Sequence, residues 1–202
     1  MALKLPRKAE REYIAASDIH AIYVAALPAE AAIVGHSRDL LHSLLTLRRS
    51  FRGLQITSAH WVKDKTEARL ICREVNSSLA QGAEGLLVAS AKVAQRRIEN
   101  VAAHMGIALT EHEVVMMRAR SAVAFIEQRI AQAQASGELS WFNSTYRAWR
   151  LEAKQQGRVM SYAEARARLR QNIFRQILTN EHQIDPKRIF PALRGIDFPV
   201  SG

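Results

Sequence analysis

Strand-like segments occur only in the first third of the chain, and this distribution constrains the fold more than any other feature of the sequence. Short apolar runs rich in β-branched and aromatic residues cover residues 20–27, 31–35 and 54–62. Runs of this length and composition are typical of β-strands. Beyond residue 83 no comparable alternation occurs, so we expect any sheet to be complete before that point.

Two helices are predicted between and after these strands. Residues 38–50 carry leucines at helical spacing, and Ser37 is a candidate N-cap for them. Asp64 and Glu67 have the spacing of a capping box that opens a helix to about residue 80. The order strand, strand, helix, strand, helix predicts an α+β domain: a small three-stranded antiparallel sheet with flanking helices, followed by a mostly α-helical C-terminal region.

The domain organisation follows from these patterns. Capping boxes at Thr110 and Ser161, with Glu113 and Glu164 three residues later, predict long helices in the second half of the chain. The sequence is therefore divided into a basic flexible arm at 1–18, an α+β domain at 19–82, a helical domain at 83–183 and an irregular tail at 184–202.

Composition limits the class of protein. The 29 Lys and Arg against 19 Asp and Glu give a net charge of +10, which favours a polyanionic partner. No apolar run is long enough to span a membrane, and the N-terminus has no apolar signal core, so we expect a cytoplasmic protein without membrane contact. Cys72, the single cysteine, excludes an internal disulfide and is predicted to be a buried structural thiol. The seven histidines lack metal-site spacing, so no metal site is expected.

The basic charge is concentrated near the C-terminal end. Residues 147–175 contain eight basic residues and two acidic ones. On one helix the cations recur at i, i+3 and i+7, and if the next helix folds back at Gly157, its cations would border the same groove. The predicted phosphate contacts are Arg147, Arg150, Lys154, Arg166 and Arg170. The neighbouring aromatic residues Phe142, Tyr146 and Trp149 share one face and are predicted to be core.

Two short motifs in residues 19–80 carry a family resemblance. Ala21-Ile22-Tyr23 and Ile33-Val34-Gly35 stand about ten residues apart on the first two predicted strands, and His36-Ser37 continue into the first helix. This arrangement resembles the GIY-YIG endonuclease domain, a small sheet of three strands flanked by helices. The resemblance implies that Tyr23 activates the attacking water, that an arginine on the first helix steadies the phosphate, and that a glutamate on the next helix holds a divalent metal.

The sequence departs from this family at three positions. Ile33 replaces the second tyrosine, Ser43 stands where the arginine is expected, and no carboxylate occupies residues 69–72, where the metal-holding glutamate is expected. Hydrolysis of a phosphodiester needs charge stabilisation that these residues do not supply. The expectation is therefore a catalytically degenerate domain in a protein that binds nucleic acid, DNA in particular, without a cofactor.

Two alternatives stay open at this stage. The first is an active endonuclease with Tyr23 as base and Glu67 or Glu74 holding Mg²⁺ or Mn²⁺. The second is an interaction module whose long helices pair with a protein partner or with a second copy of the chain. The face predicted for that pairing consists of Val114, Val115, Ala122, Phe125, Ile126 and Ile130.

Overall fold

The computed structural model of the chain describes residues 2–27, 31–80, 82, 86–135 and 140–180. The helices in these ranges are α1 (Lys8–Ser17), α2 (Leu40–Ser50), α3 (Lys65–Ser78), α4 (Ala91–His104), α5 (His112–Ala135), α6 (Ser140–Gln155) and α7 (Tyr162–Asn180). The strands are β1 (His20–Ala26), β2 (Ala32–Ser37), β3 (Gln55–Val62) and β4 (Thr110–Glu111). None of the described helices combines the length and apolarity that crossing a bilayer requires.

The α+β class is confirmed, but the sheet has four strands rather than three. Its order is β2-β1-β3-β4 with every neighbouring pair antiparallel. The added strand is β4, where Thr110 pairs with Trp61 and Glu111 with His60. The predicted cap at Thr110 is wrong for the same reason, because α5 begins only at His112. Two residues are too few to show the alternation by which strands are predicted.

The central strand β1 is buried on both faces of the sheet. Its residues Ile22 and Val24 contact a cluster formed with α3 and α4, whereas Ala21, Tyr23 and Ala25 belong to a second cluster. That second cluster includes residues of α1, α2 and the first turns of α5. Because side chains alternate along a strand, β1 can anchor helices on both sides.

The predicted arm at 1–18 instead contains a helix that is part of the core. Ile14 of α1 is fully buried, and the backbone N–H of Leu3 donates to the carbonyl of Ile56 at 2.8 Å. The many charges in this segment suggested a solvated arm, but Ile14 supplies an apolar contact that charge counting overlooks.

A buried histidine connects three segments of this unit. The indole Nε1–H of Trp61 donates to His112 Nδ1 at 3.2 Å. Since indole nitrogen can only donate, His112 carries its proton on Nε2 and donates it to the carbonyl oxygen of Lys4 at 2.9 Å. The N-terminal segment, β3 and α5 are thus held together by one side chain.

The local capping predictions have mixed outcomes. Asp64 accepts from the N–H groups of Thr66 and Glu67, so the predicted cap is confirmed. The return bond of the predicted capping box is not formed with Asp64, because Glu67 accepts from the N–H of Lys63 instead. The box at Ser161 and Glu164 is also confirmed, with hydrogen bonds in both directions. The predicted cap at Ser37 is wrong: Asp39 caps α2 by accepting from the N–H of His42 at 3.1 Å.

The chain divides into two compact units, Met1–Arg120 and Ser121–Gly202, and the division falls within α5. The sequence had indicated a boundary near residue 83. The later position reflects burial of α4 and the start of α5 against the sheet, through residues such as Ile98 and Met116. In the second unit, α6 and α7 meet edge to face at Tyr146 and Tyr162, whose ring centroids are 5.4 Å apart. The predicted tail at 184–202 lies outside the described residues.

Candidate nucleic-acid interface

A groove lies between β2 and α3 in the first unit, and we call it the α3 groove. Its volume is about 560 Å³. The residues that line it are Val34, Gly35 and His36 from β2, and Lys65, Thr66, Arg69, Leu70, Cys72, Arg73 and Asn76 from α3. None of these described lining residues is acidic, and none is Phe, Tyr or Trp.

Three cations form a row along the groove. Lys65, Arg69 and Arg73 recur every four residues on the exposed side of α3, so each is about 6 Å further along the helix axis than the last. The opposite side of the helix is apolar and packs on the sheet through Ala68, Ile71, Cys72 and Val75. Amphipathic packing of α3 therefore fixes the direction in which the three cations point.

These cations are not neutralised by neighbouring carboxylates. Within the described residues, no Asp or Glu forms an ion pair with Lys65, Arg69 or Arg73. Two of the three acids near these cations in sequence are engaged at the start of α3: Asp64 accepts from the N–H groups of Thr66 and Glu67, and Glu67 accepts from the N–H of Lys63 at 3.1 Å. The third, Glu74, is exposed and does not line the groove. The groove consequently presents positive charge to solvent.

Two histidines, His20 and His36, can add positive charge near the groove when they are protonated. Burial is the largest cause that lowers the pKa of His36, and the charges of His20, Lys65 and Arg69 lower it further. The pKa of His20 is lowered by burial and by Lys65, against an opposing effect of Asp64. Both rings are therefore neutral at pH 7 in the free protein, and an anion in the groove would favour their protonation.

Cys72 is buried beneath the cation row, as predicted. Burial raises the pKa of its thiol to about 12. A thiol with this pKa has almost no thiolate at neutral pH and is a poor nucleophile. The described lining of the groove therefore contains no reactive thiol.

The residues proposed for nuclease chemistry are not brought together in this groove. Tyr23 lies on the α2 side of the sheet, whereas Glu67 and Glu74 belong to α3 on the other side. Burial raises the pKa of Tyr23, and a hydrogen bond with Ser43 acts in the opposite direction. Among the described residues, no three side chains of metal-ligating type are grouped as a metal site.

The predicted cations of the second unit separate into two groups. Arg147, Arg150 and Lys154 are exposed on α6. Arg166 and Arg170 instead converge on the carboxylate of Glu127 in α5, at 2.8 and 3.1 Å. The two groups therefore differ in pairing: Arg166 and Arg170 share an acidic partner, whereas no described carboxylate forms an ion pair with the first group.

Another arginine occupies the position between α6 and α7. Arg168 donates to Glu152 at 3.0 Å and lies over the ring of Trp149, with its guanidinium carbon 4.7 Å from the ring centroid. Tyr146 and Trp149 are only half-buried and belong to neither described core cluster, so the prediction that they are core is not confirmed. The side chain of Phe142, predicted to share their face, lies outside the described residues.

Sequence reasoning missed the row Lys65, Arg69 and Arg73. The signal was present as cations at i, i+4 and i+8 on a helix whose other face is apolar. Charge counting obscured it, because Asp64, Glu67 and Glu74 lie in the same segment. Only the structure places these acids away from the groove lining.

No protein-family model matches the chain, and no curated protein or solved structure matches it either. The resemblance of residues 19–80 to the GIY-YIG endonuclease domain therefore stays a prediction. The order of the first three strands and their flanking helices is compatible with it.

Proposed function

We propose that the protein binds nucleic acid, with DNA as the expected ligand, and that the α3 groove contacts the phosphate backbone without cleaving it. The observation that carries this proposal is the row of Lys65, Arg69 and Arg73, which borders a recess and has no described acidic partner. Neutralising phosphates with such side chains releases condensed counterions, the main source of sequence-independent affinity.

The spacing of the row supports a strand-like ligand. Cations about 6 Å apart along a helix can meet neighbouring phosphates on one strand, whereas a single small anion would use only one or two of them. Arginine forks bind phosphate oxygens in pairs, and Lys65 contributes a compact charge at the end of the row.

The lining of the groove favours backbone contact over base recognition. Proteins that bind single-stranded nucleic acid without sequence preference typically have aromatic side chains on which the bases stack. The described lining residues include no Phe, Tyr or Trp. A duplex that presents one of its backbones to the groove is therefore the favoured ligand.

Cleavage is not part of the proposal. Tyr23, the residue that the family resemblance assigns as base, is 6% exposed, and burial raises its pKa. Ser43 donates or accepts a hydrogen bond there but carries no charge to stabilise a phosphorane-like transition state. Glu67 is engaged at the start of α3 and is not directed to a metal position by any described neighbour.

The interaction-module alternative is weakened by burial within the chain itself. Val115 is 3% exposed and packs on the sheet, and Ile126 is 2% exposed. Residues that are already covered cannot form the centre of an interface without unfolding part of the helix. The side chain of Ile130, assigned to the same face, lies outside the described residues.

The test is a binding measurement on the full chain with duplex DNA over a salt series. We expect the variant K65A/R69A/R73A to bind more weakly, with a salt slope shallower by about 0.9 for each phosphate that the protein no longer neutralises. The matched control is K92A/R96A/R118A, which removes three exposed cations that do not line the groove. Equal behaviour of the groove variant and the parent, or of the groove variant and the control, would contradict the proposal.

Products of the same reactions with Mg²⁺ or Mn²⁺ should be run on a denaturing gel. Intact DNA is the expected result. Cleavage that disappears in Tyr23→Phe would instead support the active endonuclease.

A further inference from the structure

Three cations share one exposed face of α6, and a fourth follows the end of the helix. Arg147, Arg150 and Lys154 occupy i, i+3 and i+7 on α6, and Arg158 comes directly after Gly157. All four are exposed. We call these four residues the α6 stripe.

The acids of the second unit are used elsewhere. Within residues 121–135 and 140–180 the carboxylates are Glu127, Glu152 and Glu164. Glu127 binds Arg166 and Arg170, and Glu152 binds Arg168. The carboxylate of Glu164 accepts from the backbone N–H and hydroxyl of Ser161. No described carboxylate of this unit is therefore left to neutralise the α6 stripe.

The ion pairs distinguish arginines that connect helices from cations that are exposed and could bind a ligand. Arg166 and Arg170 link α7 to α5, and Arg168 links α7 to α6 through Glu152 and Trp149. Of the stripe, only Arg150 has a described partner, the ring of Tyr146 at 5.7 Å. Such a contact leaves the guanidinium edge free to donate to phosphate.

The composition of the stripe favours nucleic acid over a membrane surface. A helix that lies on a bilayer needs a broad apolar face beside its cations. Beside the stripe, two large apolar side chains are exposed, Leu151 on α6 and Val159 after Arg158, and two do not make a broad apolar face. The half-buried aromatic residues Tyr146 and Trp149 are engaged with α7. Three of its four cations are arginines, the side chain best suited to paired contacts with phosphate.

We infer that the α6 stripe is a second surface for the nucleic-acid backbone, independent of the α3 groove and located on the other unit. This inference rests on the proposed function only in taking nucleic acid as the ligand. The protein then has two surfaces for duplex DNA, and each adds its own share to the salt dependence of binding.

The test compares three full-length variants over the same salt series. We expect R147Q/K154Q/R158Q to lower the salt slope by about 2.7, at about 0.9 per phosphate. Combining these changes with K65A/R69A/R73A should lower it by roughly twice that amount. K92Q/R96Q/R118Q is the charge-matched control and should bind almost as the parent does, and circular dichroism should show each variant folded.

The outcomes separate the two proposals. If the parent binds duplex DNA and R147Q/K154Q/R158Q keeps the full salt slope, the α6 stripe is not a binding surface. The proposal for the α3 groove is unaffected by that result. A loss confined to the stripe variant supports the stripe and overturns the groove. If the parent binds no duplex at low salt, the proposed function fails, and binding to vesicles with anionic lipid that the stripe variant loses would assign the stripe to a membrane instead.

Discussion

The ring of Tyr23 lies across Gly35 on the neighbouring strand, so close that a Cβ at position 35 would stand 2.5 Å from the Tyr23 hydroxyl oxygen. The two residues face each other in the register of β1 and β2. The same residues carry the resemblance to a nuclease family, yet their contact has a packing explanation. A glycine is required at position 35 because the phenol ring occupies the space of a side chain.

This contact predicts that Gly35→Ala destabilises the fold. The added methyl group would overlap the hydroxyl and a ring carbon, at 2.5 and 2.6 Å, and overpacking of this kind typically costs about 1–3 kcal/mol. The free energy of unfolding should be measured by chemical denaturation. In a Tyr23→Ala background the same substitution should cost much less, and an equal cost in both backgrounds would show that the ring is not the cause.

His36, which lines the α3 groove, and its neighbour His20 predict stronger DNA binding at lower pH. The pKa values of His20 and His36 are lowered in the free protein, and a bound polyanion opposes that shift. The complex then binds more protons than the free protein, so affinity rises as pH falls below about 6.5. Dissociation constants at pH 7.5 and 5.5, at fixed ionic strength, provide the measurement. The H20N/H36N variant should lose most of this dependence, and a pH effect that survives in it would point to other groups.

His112 predicts a pH dependence of stability. Burial is the main cause that lowers its pKa, although the hydrogen bond to the Lys4 carbonyl acts in the opposite direction. The unfolded chain therefore takes up a proton near pH 6.5 while the folded protein does not, so the stabilisation is complete above that pH and is lost as pH falls below it. The loss is at most about 1.4 kcal/mol per pH unit. The free energy of unfolding should be measured between pH 7.5 and 5 for the parent and for His112→Gln. It should fall less steeply with pH in the variant, and an equally steep fall in both proteins would contradict the role of His112.

The ion pairs of Glu127 predict that Arg166 and Arg170 stabilise the fold, although the sequence had indicated them as phosphate contacts. Arg170 is 13% exposed in its side chain and Arg166 is 31% exposed. The double variant R166Q/R170Q should lower stability while leaving the salt slope of DNA binding unchanged. If the slope instead falls by about 1.8, both arginines contact phosphate, and DNA displaces Glu127 from them.

Features that depend on neighbours a few residues apart could be predicted from the amino-acid sequence. The order of the first three strands and two helices followed from periodicity, and the caps at Asp64 and Ser161 from spacing of three residues. The exposed cations of α6 could also be located, because helical spacing alone places Arg147, Arg150 and Lys154 on one face.

Features that depend on distant segments required the tertiary fold. β4 exists because Thr110 and Glu111 lie along the edge of β3, about fifty residues away in sequence. Arg166 and Arg170 reach Glu127 across 39 and 43 residues, and this separation distinguishes them from the α6 stripe. The row of Lys65, Arg69 and Arg73 became a candidate site only when α3 packed beside β2 and enclosed a groove. Local periodicity carries no information about which distant acid meets which cation, because that choice depends on how the helices pack.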